Sequence, residues 1–425
     1  MRLFMWAAAG WALLLTACGS PLPPSTPTPA PLLETAAIAS PPASATPAPP
    51  TLTPSASATA SPPPTRTSTV TPTPPILNPL TGRPLADPAT LDRRPLAIKI
   101  AHFPRRVREA QAGLSYADNV WEHYAEGGVT RFTAIFWGQA PERAGNVRSA
   151  RLIDAILGDA YQAVLVASGS STGTMNRLRE NQDLYRRIVA EATGYSECPL
   201  LCREESAALT TNKLFTSPPE LWKLADEQGF GPPEGLTGFA FAEPPPAAGR
   251  PIGVVHLDFQ LGNTIAEWRY NPAAREYARW IDAAGPDGVG VSPDLVPHVD
   301  TLNGQALAAA NVVVLVAPYV PSNIREAEGG NRYFSYDIQL TGEGPAYVFR
   351  DGRMLEGRWQ RAEAPHSLPR LVDSGGSVIP LRPGVTWFEI LSVNSPAKID
   401  EAAGVFQARF RAPDPFPATP TPAPP

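Results

Sequence analysis

Asp118-Asn119-Val120-Trp121-Glu122-His123-Tyr124-Ala125-Glu126-Gly127-Gly128-Val129-Thr130-Arg131-Phe132-Thr133-Ala134-Ile135-Phe136-Trp137 reads as two β-strands joined by a glycine pair. Two adjacent glycines supply the positive φ angles that a tight hairpin needs, and β-branched and aromatic residues flank them on both sides. With Gly127-Gly128 taken as a two-residue loop, one face carries Val120, Glu122, Tyr124, Glu126, Arg131 and Thr133. The other face then carries Trp121, Phe132, Ala134 and Phe136 and forms the core. A helix over 115–125, capped by Ser115 and Asp118, is the competing reading. On the hairpin reading two carboxylates, a phenol and an arginine gather within cross-strand reach. Such a group suits polar-ligand binding or acid–base chemistry, and it also suits an ordinary solvated ion pair.

Outward from the hairpin, Arg94-Pro95-Leu96-Ala97-Ile98-Lys99-Ile100 has the β-branched pattern of a strand. Downstream, Gly145-Asn146-Val147-Arg148-Ser149-Ala150-Arg151 precedes Leu152, Ile153, Ile156, Leu157 and Tyr161 at helical spacing. Ser149 is the expected N-cap, which sets Arg148 and Arg151 beside the positive end of the helix dipole. Cations are unfavourable there, so an anionic partner is required. It is either internal, Glu122 or Glu126, or an external ligand. The apolar run 163–167 then reads as a buried strand leading through Ser168-Gly169-Ser170-Ser171-Thr172-Gly173 to a second helix. The loop has neither the Gly-Lys-Ser/Thr of a nucleotide P-loop nor the serine placement of a nucleophile elbow.

These motifs resemble, in order, the YerB-type family of bacterial lipoproteins, a domain of unknown function. Asn78-Pro79-Leu80-Thr81-Gly82, Gly113-Leu114-Ser115 with Ala117-Asp118, Glu126 to Phe132 and Val147 to Arg151 carry the resemblance, which extends to Trp387. It implies a surface lipoprotein with an N-terminal and a C-terminal part, and no established activity, substrate or cofactor. Around Asn212-Lys213 the chain departs from the family, where a His-Asn pair is usual.

The second half is mostly β in pattern. Strands are expected over 252–259, 266–270, 276–280, 311–316, 346–350 and 354–359, the last two joined through Asp351-Gly352. Pro297-His298-Val299-Asp300 resembles the family's Pro-His-x-Asp element, with His298 and Asp300 on one strand face. They are either an acid–base pair or half of a metal site, or else structural hydrogen-bonders. No complete metal-ligand spacing occurs, and neither a metal nor a cofactor is expected.

The ends of the chain set its address. Arg2, the apolar stretch 3–15 and Leu15-Thr16-Ala17-Cys18 form a signal peptide ending in a lipobox. The stretch is too short to span a bilayer. Cys18 is the expected lipidation site, which places the mature chain on the outer face of the cytoplasmic membrane. Cys198 and Cys202 fit that oxidising compartment as a local disulfide. Of the 52 prolines, 18 lie between Pro21 and Pro75 and 7 between Pro413 and Pro425. Both segments are too poor in apolar residues to fold alone.

The expected organisation is a signal peptide over 1–18, a disordered linker over 19–75, an α/β N-terminal domain over 76–245, a β-rich α+β C-terminal domain over 250–412, and a disordered tail over 413–425. A net charge of −5 without basic runs excludes a nucleic-acid partner. Two functions remain. One is a tethered protein that binds a cell-envelope glycan, peptidoglycan or protein. The other is an extracytoplasmic hydrolase of cell-wall material using Glu122 or Glu126, which would require two carboxyl groups across an open cleft.

Overall fold

The computed structural model describes residues 74–204, 213–236, 239–259, 264–285, 290–326 and 333–413. Cys18, the linker and the tail from 414 onward lie outside them. An eleven-stranded mixed sheet forms the centre of the molecule. In spatial order it runs Arg370–Val372, Arg353–Arg361, Gly342–Arg350, Asn311–Ala317, Thr386–Ser392, Asn119–Tyr124, Thr130–Phe136, Leu96–Ala101, Val164–Val166 and Ile188–Val189. Arg250–Pro251 adds to the Arg353–Arg361 strand. The chain thus passes from one half to the other near the boundary expected between 245 and 250.

Strands of both halves share this sheet. Thr386–Ser392 lies between Asn311–Ala317 and Asn119–Tyr124 and is parallel to both. The first half supplies the α/β character through the helices Ile153–Ala160, Thr172–Glu180, Gln182–Arg186 and Pro218–Glu227. The second half is β-rich, as expected. Its smaller seven-stranded sheet has the order Val291–Pro297, Glu276–Ala284, Thr264–Asn271, Val254–Phe259, Val405–Phe410 and Ala397–Asp400, with Ala308–Ala309 pairing Glu276–Ala284.

Burial follows from this layering. The central strands Leu96–Ala101, Asn119–Tyr124 and Thr130–Phe136 are buried at every residue, because one face meets the first helix and the other meets the smaller sheet. Val254–Phe259 instead alternates, with Val255, Leu257 and Phe259 inward. Between the sheets Trp268 packs edge-on against Trp387, and Tyr124 stacks on Phe410 at 4.5 Å. Asp351 and Gly352, at φ 52° and 71°, make the two-residue turn between Arg350 and Arg353 that their identity demands.

The hairpin 119–136 forms, but its expected faces are corrected. Tyr124 pairs with Thr130 and Ala125 N donates to Val129 O, so the loop holds three residues, Glu126, Gly127 and Gly128. One extra loop residue shifts the register by one and turns the whole second strand over. Glu122 therefore shares its face with Phe132, whereas Arg131 and Thr133 lie with Trp121 and His123 on the helix side. The helical alternative for 115–125 reduces to a single 3-10 turn, Leu114–Tyr116.

Candidate functional site

On the helix side, the loop and strand deliver Glu126 and Arg131 to the segment entering the first helix. Glu126 Oε1 accepts from Arg131 Nη2 at 2.8 Å and from Arg151 Nη2, while its Oε2 accepts from Arg151 Nε at 2.7 Å. Arg131 Nη1 also donates to Ser149 O at 2.8 Å, and Arg151 Nη1 lies 3.3 Å from Glu326 Oε2. Burial alone would raise the Glu126 carboxyl, but the two guanidinium groups outweigh it and hold the pKa at about 2. Of Arg148 and Arg151, for which an internal partner is anticipated, Arg151 meets Glu126, which it shares with Arg131.

Arg148 is different. Among the described residues its half-buried guanidinium makes no hydrogen bond and no ion pair, although Glu126 and Arg151 both lie within electrostatic reach. Burial, then the like charge of Arg151, lowers its pKa. Three arginines face two carboxylates, Glu126 and Glu326, so the cluster carries one positive charge in excess. The backbone of Arg148 is fixed on the loop after the Val164–Val166 strand, since Ser168 N donates to Arg148 O and Ala150 N to Gly169 O. Gly169, at φ 132°, has open space where a side chain would stand. Tyr333, 39 % exposed, packs on Gly127 beside Glu126.

Ser149 is not the N-cap expected. The helix starts later, with Leu152 at the cap position, and the Asp154 carboxylate accepts from Arg151 N at 2.6 Å. Ser149 Oγ instead lies 3.3 Å from Ser168 Oγ. The other oxygen of Asp154 accepts from Lys99 Nζ at 2.9 Å and from Thr133 Oγ1 at 2.7 Å. Burial lowers the Lys99 pKa to about 8 against the pull of Asp154. Lys99 Nζ also lies 2.7 Å from His123 Nε2, and His123 Nδ1 3.0 Å from Tyr124 O. With the ammonium donating to Nε2, the neutral His123 ring carries its proton on Nδ1. Burial, and then Lys99, keeps that ring well below the usual histidine range.

Glu122 lies on the opposite face and is wholly buried. Its Oε2 accepts from Arg279 Nη2 at 2.6 Å, and its Oε1 from Thr130 Oγ1 at 2.6 Å. His298 and Asp300 are not joined to each other. His298 Nδ1 accepts from Arg279 Nε at 3.1 Å and its Nε2 faces Gln111 Oε1. Asp300 accepts from Gly113 N at 2.9 Å, Ser115 N at 2.8 Å and Ser115 Oγ at 2.7 Å. His298 thus ties Arg279 of the smaller sheet to Gln111, whereas Asp300, on the two-stranded ladder of Val299–Asp300 with Gln305–Ala306, holds residues 113–115. Asp118 likewise clamps structure, accepting from Asn78 Nδ2, Trp137 N and Gly138 N at 2.8, 2.6 and 2.8 Å. Burial pushes its pKa up to about 6 in spite of those donors. Cys198 and Cys202 are joined by a disulfide, with Cα atoms 4.6 Å apart. Among the described residues no three His, Cys, Asp or Glu side chains converge as a metal site.

Sequence reasoning missed Lys99, Asp154, Arg279, Glu326 and Glu389. Two had a readable signal. Lys99 interrupts an otherwise apolar strand, and Arg279 sits at an inward position of a strand whose neighbours Tyr277 and Ile281 are core residues.

Two family models match this chain in sequence. The N-terminal domain of the protein of unknown function DUF3048 covers residues 80–231, and its C-terminal domain covers 255–388. The chain belongs to the DUF3048 family. A relative from Bacillus subtilis (strain 168), YerB, named as a presumed lipoprotein, is 28 % identical over 330 residues, 77 % of this chain and 89 % of its own. The crystal structure of Bacillus subtilis YerB superposes with a TM-score of 0.59 at 25 % identity, covering 74 % of this chain and 96 % of that one. The DUF3048 match places the Glu126, Arg131, Arg148 and Arg151 cluster inside the N-terminal domain, and His298, Asp300 and Glu389's neighbour Phe388 inside or at the end of the C-terminal one.

Proposed function

We propose that this protein is an extracytoplasmic lipoprotein, anchored through Cys18, that binds an anionic group of a cell-envelope glycan, peptidoglycan or protein at Arg148. The observation that carries this reading is the Arg148 guanidinium, which among the described residues no carboxylate contacts, in a cluster otherwise closed by Glu126 and Glu326. A half-buried cation without a partner costs free energy, and an incoming carboxylate or phosphate would supply the missing charge-assisted bonds. The two carboxylates considered for hydrolysis are engaged elsewhere, Glu122 by Arg279 and Glu126 by Arg131 and Arg151. They also project from opposite faces of the sheet or its turn, which favours binding over acid–base cleavage.

The test is Arg148→Ala, followed by a pull-down on a cell-envelope fraction and a thermal melt. Because Arg148 holds no internal partner, the melting point should stay within a few degrees of the parent while binding is lost. A strongly lowered melting point, or unchanged binding at an unchanged melting point, removes Arg148 as the binding residue.

A further inference from the structure

The outward face of the smaller sheet carries a concavity of about 330 Å³ where the Ala397–Asp400, Val405–Phe410 and Val254–Phe259 strands adjoin. His256, Asp258, Lys398, Gln407, Arg409 and Arg411 give it its polar lining. The register aligns Lys398 with Gln407 and Gln407 with His256, and sets Arg409 opposite Asp258. Arg409 Nε donates to Asp258 Oδ2 at 3.0 Å. Among the described residues the side chains of Lys398 and Arg411 make no hydrogen bond or ion pair, and both are exposed. Three cations and one carboxylate thus line the concavity, a local excess of two positive charges on a chain whose net charge is −5.

We infer that this concavity binds a phosphate group carried on a polyol or sugar. The cations stand on two strands and on the chain just past the second, so they approach an anion from several sides. That arrangement suits a tetrahedral phosphate better than a planar carboxylate, which is matched by a single fork. Their backbones are fixed: Arg409 N donates to Pro396 O at 3.1 Å, Arg411 N donates to Ser395 Oγ at 3.2 Å, and Arg411 O accepts from Ser392 Oγ. The space is larger than phosphate alone needs. His256 Nδ1 is engaged by Glu267 Oε2 at 2.8 Å, which leaves its Nε2 and the Gln407 amide to meet hydroxyl groups of the carrier.

The experiment uses the mature chain from Gly19, produced without acylation, and the double variant Lys398→Gln/Arg411→Gln. Glycerol phosphate and inorganic phosphate are titrated calorimetrically, and co-sedimentation is measured with phosphatidylglycerol and phosphatidylcholine vesicles. The parent should bind glycerol phosphate with a Kd of about 1 mM or tighter, inorganic phosphate more weakly, and the double variant should lose about tenfold or more at an unchanged melting point. Retention on phosphatidylglycerol vesicles that the double variant loses assigns the phosphate to a lipid headgroup; binding in solution without retention assigns it to a soluble carrier. Absence of saturable binding in every arm, equal binding by the double variant, or equal affinity for inorganic phosphate overturns the inference.

Discussion

Glu122 and Glu389 stand directly opposite each other on adjacent parallel strands, both wholly buried, and a single guanidinium, Arg279, bridges them. Arg279 Nη1 reaches Glu389 Oε1 at 3.1 Å, and Trp268 Nε1 donates to the same oxygen at 2.9 Å. Burial, and then the neighbouring charge of Glu122, raises the Glu389 carboxyl well above the usual range, which favours its neutral form. Arg279 meets both carboxyl groups inside a cage of Trp387, Trp268 and Phe132 rings.

Removing the bridge leaves a buried carboxylate unpaired. Arg279→Met should lower unfolding stability by about 3 to 5 kcal/mol. Glu389→Gln, which keeps the shape of the neutral acid, should cost less than about 1 kcal/mol. Urea titration of both variants checks this, and an Arg279→Met midpoint equal to the parent's would refute the bridging role.

Glu126 makes the fold sensitive to acid. Its folded pKa of about 2 lies below the ordinary glutamate value of 4.5, so the folded state favours the ionised form. The stabilisation is present in full above about pH 4.5 and disappears as the pH falls toward 2. The difference between the two values corresponds to a stabilisation on the order of 3 kcal/mol. Denaturant titrations between pH 6 and 2 should show the parent losing stability over that window, with a much flatter difference in Glu126→Gln. Parallel curves for the two proteins would contradict it.

His102 offers a stabilising change. Its ring is fully buried, 4.6 Å from Phe132 and 5.5 Å from His298, and neither ring nitrogen has a hydrogen-bond partner among the described residues. Burial, and then Arg108, keeps it neutral. Replacing it by an apolar side chain of similar size removes an unsatisfied polar group, so His102→Leu should gain about 1 kcal/mol. A lowered melting point would mean that the nitrogens are satisfied by bound water.

Anchoring is tested at Cys18. Cys18→Ala should abolish incorporation of a fatty-acid analogue and release the protein from membranes, since no helix among the described residues is long and apolar enough to span one. Equal labelling of variant and parent would rule out lipidation at this cysteine.

The hairpins separate what is legible in a sequence from what is not. Asp351-Gly352 could be placed because both loop residues announce themselves. Gly127-Gly128 could not, because nothing in the glycines says that Glu126 joins the loop, and that one residue moved Arg131 and Thr133 to the other face. The strands of the second half were readable from β-branched runs, and the arginine cluster from cations crowding a helix start. The partners Glu326 and Glu389 were not, since each arrives from more than 100 residues downstream of the arginine it meets, and pairing at that distance leaves no local pattern.

The placement of Thr386–Ser392 between Asn311–Ala317 and Asn119–Tyr124 bears on how the chain is made. Synthesis delivers the Asn119–Tyr124 strand more than 260 residues before its parallel neighbour. Until then its outer edge offers free amides and carbonyls beside Val120, Trp121 and Tyr124, the kind of edge that pairs with the wrong chain. The N-terminal half is consequently a nascent intermediate whose protection depends on the last tenth or so of the polypeptide. Any early stop before 386 should yield an aggregating product rather than a smaller working protein.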